Sequence, residues 1–391
     1  MLASKGEETK GVNQYVHVNS SEQQLTTGFG PRAKIQTYTN TLGPQTSQEE
    51  FYTAVGLPAL DHLWEGTNAT LLTYGPRGSG KRHTSWGTDQ DQGLIPRITK
   101  QLFQRLSSDE NSANSSYKME FSFFELYCEK CNDLLVPSGR NLAMTYIDQV
   151  GYHASGLTRC PVTEYATLET ILESSLTARA VSAVSTNTDT IQSHTFFQLV
   201  LTRTSVNKTT MKAGETTATL LIGDLGDAGG GEEERAAINS VNNSPGNSHA
   251  ALRSVLKHLK SRTSSPGEER DALFNRSSLT QVLRNSLCGN SNTTLIVALP
   301  PSDIDQTSTD FTLAVANQFK QIRTDANAAS NMDGRSKEID NIKTAINGLR
   351  SKMAAISSSD AGYVGVQQEL TNGMQLLGRC CGCVCVFFIV S

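Results

Sequence analysis

The 391-residue chain is 37% hydrophobic and 18% charged with a formal net charge of -4, enough apolar material for one large core or two ordinary ones. That balance excludes a general attraction to nucleic acid or anionic membrane, so any electrostatic site has to come from local clustering. The charged start "MLASKGEETKG" lacks an apolar signal core, no stretch approaches the roughly 20 apolar residues of a bilayer span, and four of the eight cysteines crowd into the last dozen residues. This is not the spacing of a secreted disulfide framework, and a reducing, cytoplasmic setting is expected.

In chain order, "KIQTYTNTL" reads as a strand, and "SQEEFYTAVGLPALDHLWEG" as a helix with Ser47 as N-cap, early acids and Gly66 as its stop. "NATLLTYG" reads as a buried strand. Further strands are expected at "KMEFSFFELY", "HTFFQLVLTR", "TATLLIGDL" and "TTLIVALPP", and helices at "TLETILESSLTARAV", "HAALRSVLKHLKS", "SSLTQVLRNSL" and "DFTLAVANQFKQI". The alternation gives an α/β fold, a mostly buried sheet flanked by helices. Beyond about Asn331, Ile339, Ile342, Ile346, Leu349, Met353 and Ile356 recur at intervals of 3, 4, 3, 4 and 3. This is the seam of a short coiled coil or the buried face of a surface helix.

"YGPRGSGKRH" carries the chemistry. In a phosphate-binding loop, glycines let backbone N–H groups curl around phosphates at a helix start, a lysine neutralises the outer phosphates, and a following Ser or Thr binds Mg²⁺. Gly75, Pro76, Arg77, Gly78, Ser79, Gly80, Lys81, Arg82 and His83 form the candidate nucleotide-binding set. Arg82 stands where the hydroxyl is needed, so the bland alternative is a tight glycine turn with a solvated lysine.

The surroundings decide between these. The helix from Ser47, the strand through Asn68, Ala69 and Thr70, and the loop resemble the kinesin motor domain. The resemblance continues in order through "FSFFELYCEKCNDLL", "YHASGLTRCPVTEYATLETILESSLTARAV", a first switch at "STNTDTIQSH", a second at "LLIGDLGDAGGGEE", and "FNRSSLTQVLRNSLCGNSNTTLIVALPPS". It implies a kinesin-type phosphate-loop motor fold with a central mixed sheet, ATP or ADP as ligand, microtubules as partner and a cytoskeletal location. Cys128 and Cys131 fall where the family has ordinary strand and turn residues and lack a second pair to complete a zinc site, which favours packing.

The resemblance also marks departures. Against the family's first switch, N-x-x-S-S-R-S-H, the chain keeps Asn187, Ser193 and His194. Ile191 replaces the serine assigned to the metal and water network, and Gln192 the arginine of an ionic latch. Against D-L-A-G-S-E, Asp224 is kept, Asp227 replaces the glycine that senses the γ-phosphate, and Gly229 the latch glutamate; an insertion bringing in Glu232 would restore part of this motif. Asn187, Ser193, His194 and Asp224 are the candidate catalytic residues, with no metal ligand assigned and Mg²⁺ left open. The family's R-x-R-P strand has no counterpart near the start, so a sheet lacking its first strand is expected.

From Arg253 to Arg284 seven Lys or Arg stand against Glu268, Glu269 and Asp271. This excess suits a polyanionic partner or is a solvated helix face. The layout expected is an extension and hairpin over 1–33, a motor domain over 34–330, a neck over 331–358 able to form a homo- or heterodimer through 339–356, and a linker and Cys-rich tail over 359–391. The tail "CCGCVCVFFIVS" is either a pair of acyl acceptors or a disordered end. Two functions remain: a microtubule-associated pseudo-motor impaired in hydrolysis, or an active ATP-driven motor with compensated switch residues.

Overall fold

The computed structural model describes residues 13–109, 115–136, 138–147, 151–186, 193–206, 213–227, 245–260, 267–303, 305–322, 324 and 385–390. Strands β1 (Val16–Asn19), β2 (Gln24–Thr27) and β3 (Lys34–Thr37) make a small antiparallel sheet. The stretch expected as one strand therefore divides: after Tyr38 the chain crosses into the main sheet as β4 (Asn40–Leu42).

Ser47 accepts from the Glu50 amide while Glu50 accepts from the Ser47 amide, a reciprocal cap that starts α1 (Gln48–Phe51). A π turn over Tyr52–Gly56 joins it to α2 (Leu57–Trp64). Pro58 explains the widening, because it has no N–H to offer and its ring crowds the carbonyl of Ala54.

Then follow β5 (Ala69–Tyr74), α3 (Lys81–Ser85), α4 (Leu94–Ser108), β6 (Ser115–Tyr127), β7 (Lys130–Asp133), the hairpin β8 (Met144–Ile147) and β9 (Gly151–Ala154), β10 (Cys160–Pro161) and α5 (Tyr165–Thr186). Strands β11 (His194–Val206) and β12 (Ala213–Asp224) lead to α6 (Pro245–Lys260), α7 (Gly267–Phe274), α8 (Ser278–Cys288), β13 (Asn292–Leu299), α9 (Gln306–Phe319) and β14 (Cys385–Val390).

The main sheet runs β10-β6-β11-β12-β5-β13-β14-β4, with β7 beside β6. From β12 to β4 the neighbours are parallel, while β6, β11 and β12 are antiparallel. Strand alternation sends successive side chains to opposite faces. Leu72, Tyr74, Leu295 and Val297 pack with α6, α8 and α9, whereas Ala69, Leu71 and Ile296 pack with α2, α4 and α5. The result is the expected three-layer mixed α/β architecture.

Residues 385–390 depart from the expected tail beyond the domain: they form β14, inserted between β13 and β4. Val386 and Phe388 join one core and Phe387 the other. The disordered-end alternative for "VFFIV" therefore gives way to burial in both cores; the acyl-acceptor candidates Cys380, Cys381 and Cys383 and the neck seam over 339–356 lie outside the described residues.

Candidate functional site

Strand β5 delivers the chain to the carboxyl edge of the parallel strands, where ligands of open α/β sheets bind. Gly75 turns there with φ 156°, and a Cβ on it would fall 2.1 Å from the Ala298 carbonyl oxygen, so the loop lies directly against β13. Gly78 and Gly80 follow with φ 75° and 87°, left-handed values that suit glycine. Space beside Gly78 is open. Pro76 and Ser79 are buried and Arg77 is exposed.

Lys81 heads α3, and its Nζ donates to the carbonyls of Gly75 (2.7 Å) and Pro76 (2.8 Å), folding back over the loop. Burial lowers its pKa, opposed by the charges of Asp224 and Asp227. Arg82, the next residue, is exposed. His83 is half-buried, with its ring Nδ1 2.7 Å and its carbonyl 2.9 Å from Nε2 of Gln48, and burial lowers its pKa.

Beneath the loop, Asp224 at the end of β12 accepts from the Thr73 hydroxyl at 2.9 Å. Burial raises its pKa, offset by that hydrogen bond and by Lys81, Arg179 and Arg82. His194 is buried, and the Gly226 amide donates to its Nδ1 at 3.0 Å. Nδ1 is thereby the unprotonated nitrogen, so Nε2–H donates to Ser248 Oγ, 2.9 Å away. Burial, then His249 and Lys81, hold His194 well below the usual histidine range. One neutral imidazole thus ties the end of the first switch to the second and to α6.

Ser193 accepts from the Arg179 guanidinium at 2.5 Å, and the same guanidinium donates to Glu125 at 2.7 Å. Sequence reasoning missed this pair and Thr73; an arginine on α5 gives no local sign that it reaches across to β6. His249 was missed too. It packs 5.0 Å from His194 between ring centroids, beside the backbone of Gly226 and Asp227. Burial, with the Lys81 and Arg253 charges, lowers its pKa to about 4.

The predicted residues Gly75 to His83, Ser193, His194 and Asp224 thus gather along one edge of the sheet. Asn187, Ile191, Gln192, Gly229 and Glu232 lie outside the described residues. Cys131 is buried in β7, its thiol pushed up to about 12 by burial, and Cys128 sits in the adjoining turn.

A cleft of about 350 Å³ opens beside the loop, lined by Leu42 to Gln48, Phe51, Gly80, His83, Thr84, Asp91 and Ile389. Left-handed glycines, open space at Gly78 and a folded-back lysine fit a polyphosphate, and the adjoining cleft is of ligand size. Magnesium fits poorly at the position after Lys81, which offers a guanidinium with no acceptor atom.

On the basic stretch, Lys257, Lys260 and Arg276 are exposed. Arg284 instead pairs with Asp271 at 2.5 Å and lies over the Tyr146 ring, while Arg253 lies over Phe311. Glu129 accepts from the Ser277 hydroxyl and the Ser278 amide, fixing the start of α8. No described helix is long and apolar enough to cross a membrane.

The model of the kinesin motor domain matches residues 3–322. Kinesin-like protein KIF1A of Rattus norvegicus is 32% identical over 332 residues, covering 80% of this chain and 19% of that protein. Kinesin-like protein KIF1C of Homo sapiens is 31% identical over 340 residues, 85% of this chain and 30% of that protein. A solved fast kinesin, studied for its ATPase mechanism and interactions with microtubules, superposes with a TM-score of 0.72 at 27% identity, covering 84% of this chain and 92% of that one.

Proposed function

The chain belongs to the kinesin motor-domain family, and from that premise we propose that it is a microtubule-associated, cytoskeletal protein that holds ATP or ADP on its phosphate loop but is impaired in hydrolysis. The observation that carries this reading is the contrast between Lys81, folded over an intact glycine loop, and its neighbour Arg82, exposed and without a lone pair for magnesium. Removing one preorganised catalytic donor costs about 10²–10³ in rate. Here the metal-binding hydroxyl, the hydroxyl replaced by Ile191 and the latch arginine replaced by Gln192 are absent together, whichever of Gly229 and Glu232 takes the place of the latch glutamate.

Binding draws on different groups. Lys81 and the loop amides supply phosphate contacts, the exposed Lys257, Lys260 and Arg276 supply cations for an acidic track, and the seam from Ile339 to Ile356 supplies a pairing helix for a homo- or heterodimer. The test is a calorimetric titration of the full chain with ADP, beside co-sedimentation with microtubules. Saturable ADP binding and pelleting are expected; failure of both in a folded protein contradicts the reading.

A further inference from the structure

The carboxyl-terminal strand β14 is built into the wall of the nucleotide cleft. It lies parallel to β13 from Thr294↔Cys385 to Leu299↔Val390, and parallel to β4 from Phe387↔Asn40 to Ile389↔Leu42. Because β5 is also parallel to β13, β14 runs toward the edge that carries the phosphate loop. Ile389 emerges there, half-buried, and lines the cleft with its ladder partner Leu42 and with Phe51.

The rest of the wall hangs on the same strand. β14 is the ladder partner of β4 among the described residues, and the Phe388 ring lies 3.9 Å from that of Tyr38, just before β4, between centroids. From β4 the chain runs through the lip Gly43–Thr46 into the Ser47 cap of α1, whose first residue, Gln48, grips His83. A connected path thus leads from β14 through β4 and the cap to the residue two places after Lys81.

We propose that β14 is a functional part of this site: Ile389 is the apolar wall on which the base of a bound nucleotide packs, so that seating of the strand and nucleotide binding are coupled. The inference rests on the nucleotide reading above and adds to it a specificity-determining residue at the far end of the chain from the loop. Its chemistry is that of an aliphatic surface against a flat heteroaromatic ring, with Gln45, Gln48 and Asp91 supplying polar groups around it. Coupling follows by linkage, since a ligand that contacts β14 only when it is seated stabilises the seated form.

The experiment uses the full chain and two probes, ADP and inorganic tripolyphosphate, which has no base. Ile389→Ala is expected to weaken ADP by about tenfold, the scale of one lost aliphatic contact, and to leave tripolyphosphate affinity unchanged; Ile389→Val is expected to stay within about twofold of the parent. In the unmodified chain, saturating ADP is expected to slow amide exchange over 386–390, a readout that holds even if Ile389→Ala does not fold. Equal loss of both probes in Ile389→Ala, or amide protection over 386–390 indifferent to ADP, overturns the proposal while the nucleotide reading stands. If the unmodified chain binds neither probe, the nucleotide reading falls and this inference with it.

Discussion

Two neighbouring strands end in contrasting chemistry. At the end of β5 the loop keeps every feature that cradling phosphate requires: left-handed glycines, close approach to β13 and a lysine folded over its own carbonyls. At the end of β12, one ladder away, Asp224 accepts from the Thr73 hydroxyl, and Asp227 follows where the family resemblance asks for glycine. The scaffold under that second region is nonetheless intact, with Arg179 clamping Ser193 and His194 joining Gly226 to Ser248. In the proposed reading, binding and hydrolysis draw on separate residues, and the described framework of Arg179, Ser193, His194 and Ser248 supports both regions.

The comparison breaks first if that framework is not structural. Arg179→Met leaves Glu125 buried without its partner, and urea unfolding is expected to show a loss of about 3–5 kcal/mol. Adding Glu125→Leu should recover much of it; a change under about 1 kcal/mol for the single variant contradicts the clamp.

The buried histidines sharpen the same point through pH. Burial lowers the His249 pKa to about 4 in the folded protein, against the usual histidine value of about 6.5. The unfolded chain therefore takes up more protons in that window, and stability falls as pH drops from 6.5 toward 4, by roughly 3 kcal/mol for this group. Chemical denaturation across that range should give a flatter profile for His249→Leu than for the parent; parallel profiles count against a buried neutral imidazole.

On the loop side, Lys81→Ala should weaken ADP by about 100-fold, ~2–3 kcal/mol of charge-assisted contacts, while the protein stays folded. The smallest effect is expected at Arg82→Ala, whose exposed side chain should shift unfolding free energy by less than about 0.5 kcal/mol. A larger shift there, by the same urea assay, means that Arg82 is part of the folded framework rather than a solvated substitution.

Much of this was legible because it is local. The glycine loop, the Ser47–Glu50 cap and the all-buried run of β5 each declare themselves within a few residues, and the ordered motifs gave the fold. What the sequence hid is set by distant packing. "VFFIV" is a continuous apolar run, and nothing local says whether such a run lies in a sheet or is a free end; its place depends on β13 and β4. "KIQTYTNTL" looked like one strand because its division at Tyr38 follows from two sheets competing for it. Arg179 and Ser193 stand 14 positions apart, with no periodicity to relate them. The clearest misses were thus the pieces that close the site from elsewhere in the chain.

The most direct test is phosphate release by the full chain with Mg·ATP, with and without microtubules, beside the Arg82→Thr variant. The account predicts no microtubule-stimulated release from either protein while both still pellet with microtubules, because Ile191, Gln192 and Gly229 remain in the variant. Stimulated turnover by the unmodified chain would contradict it and make this an active motor with compensating groups.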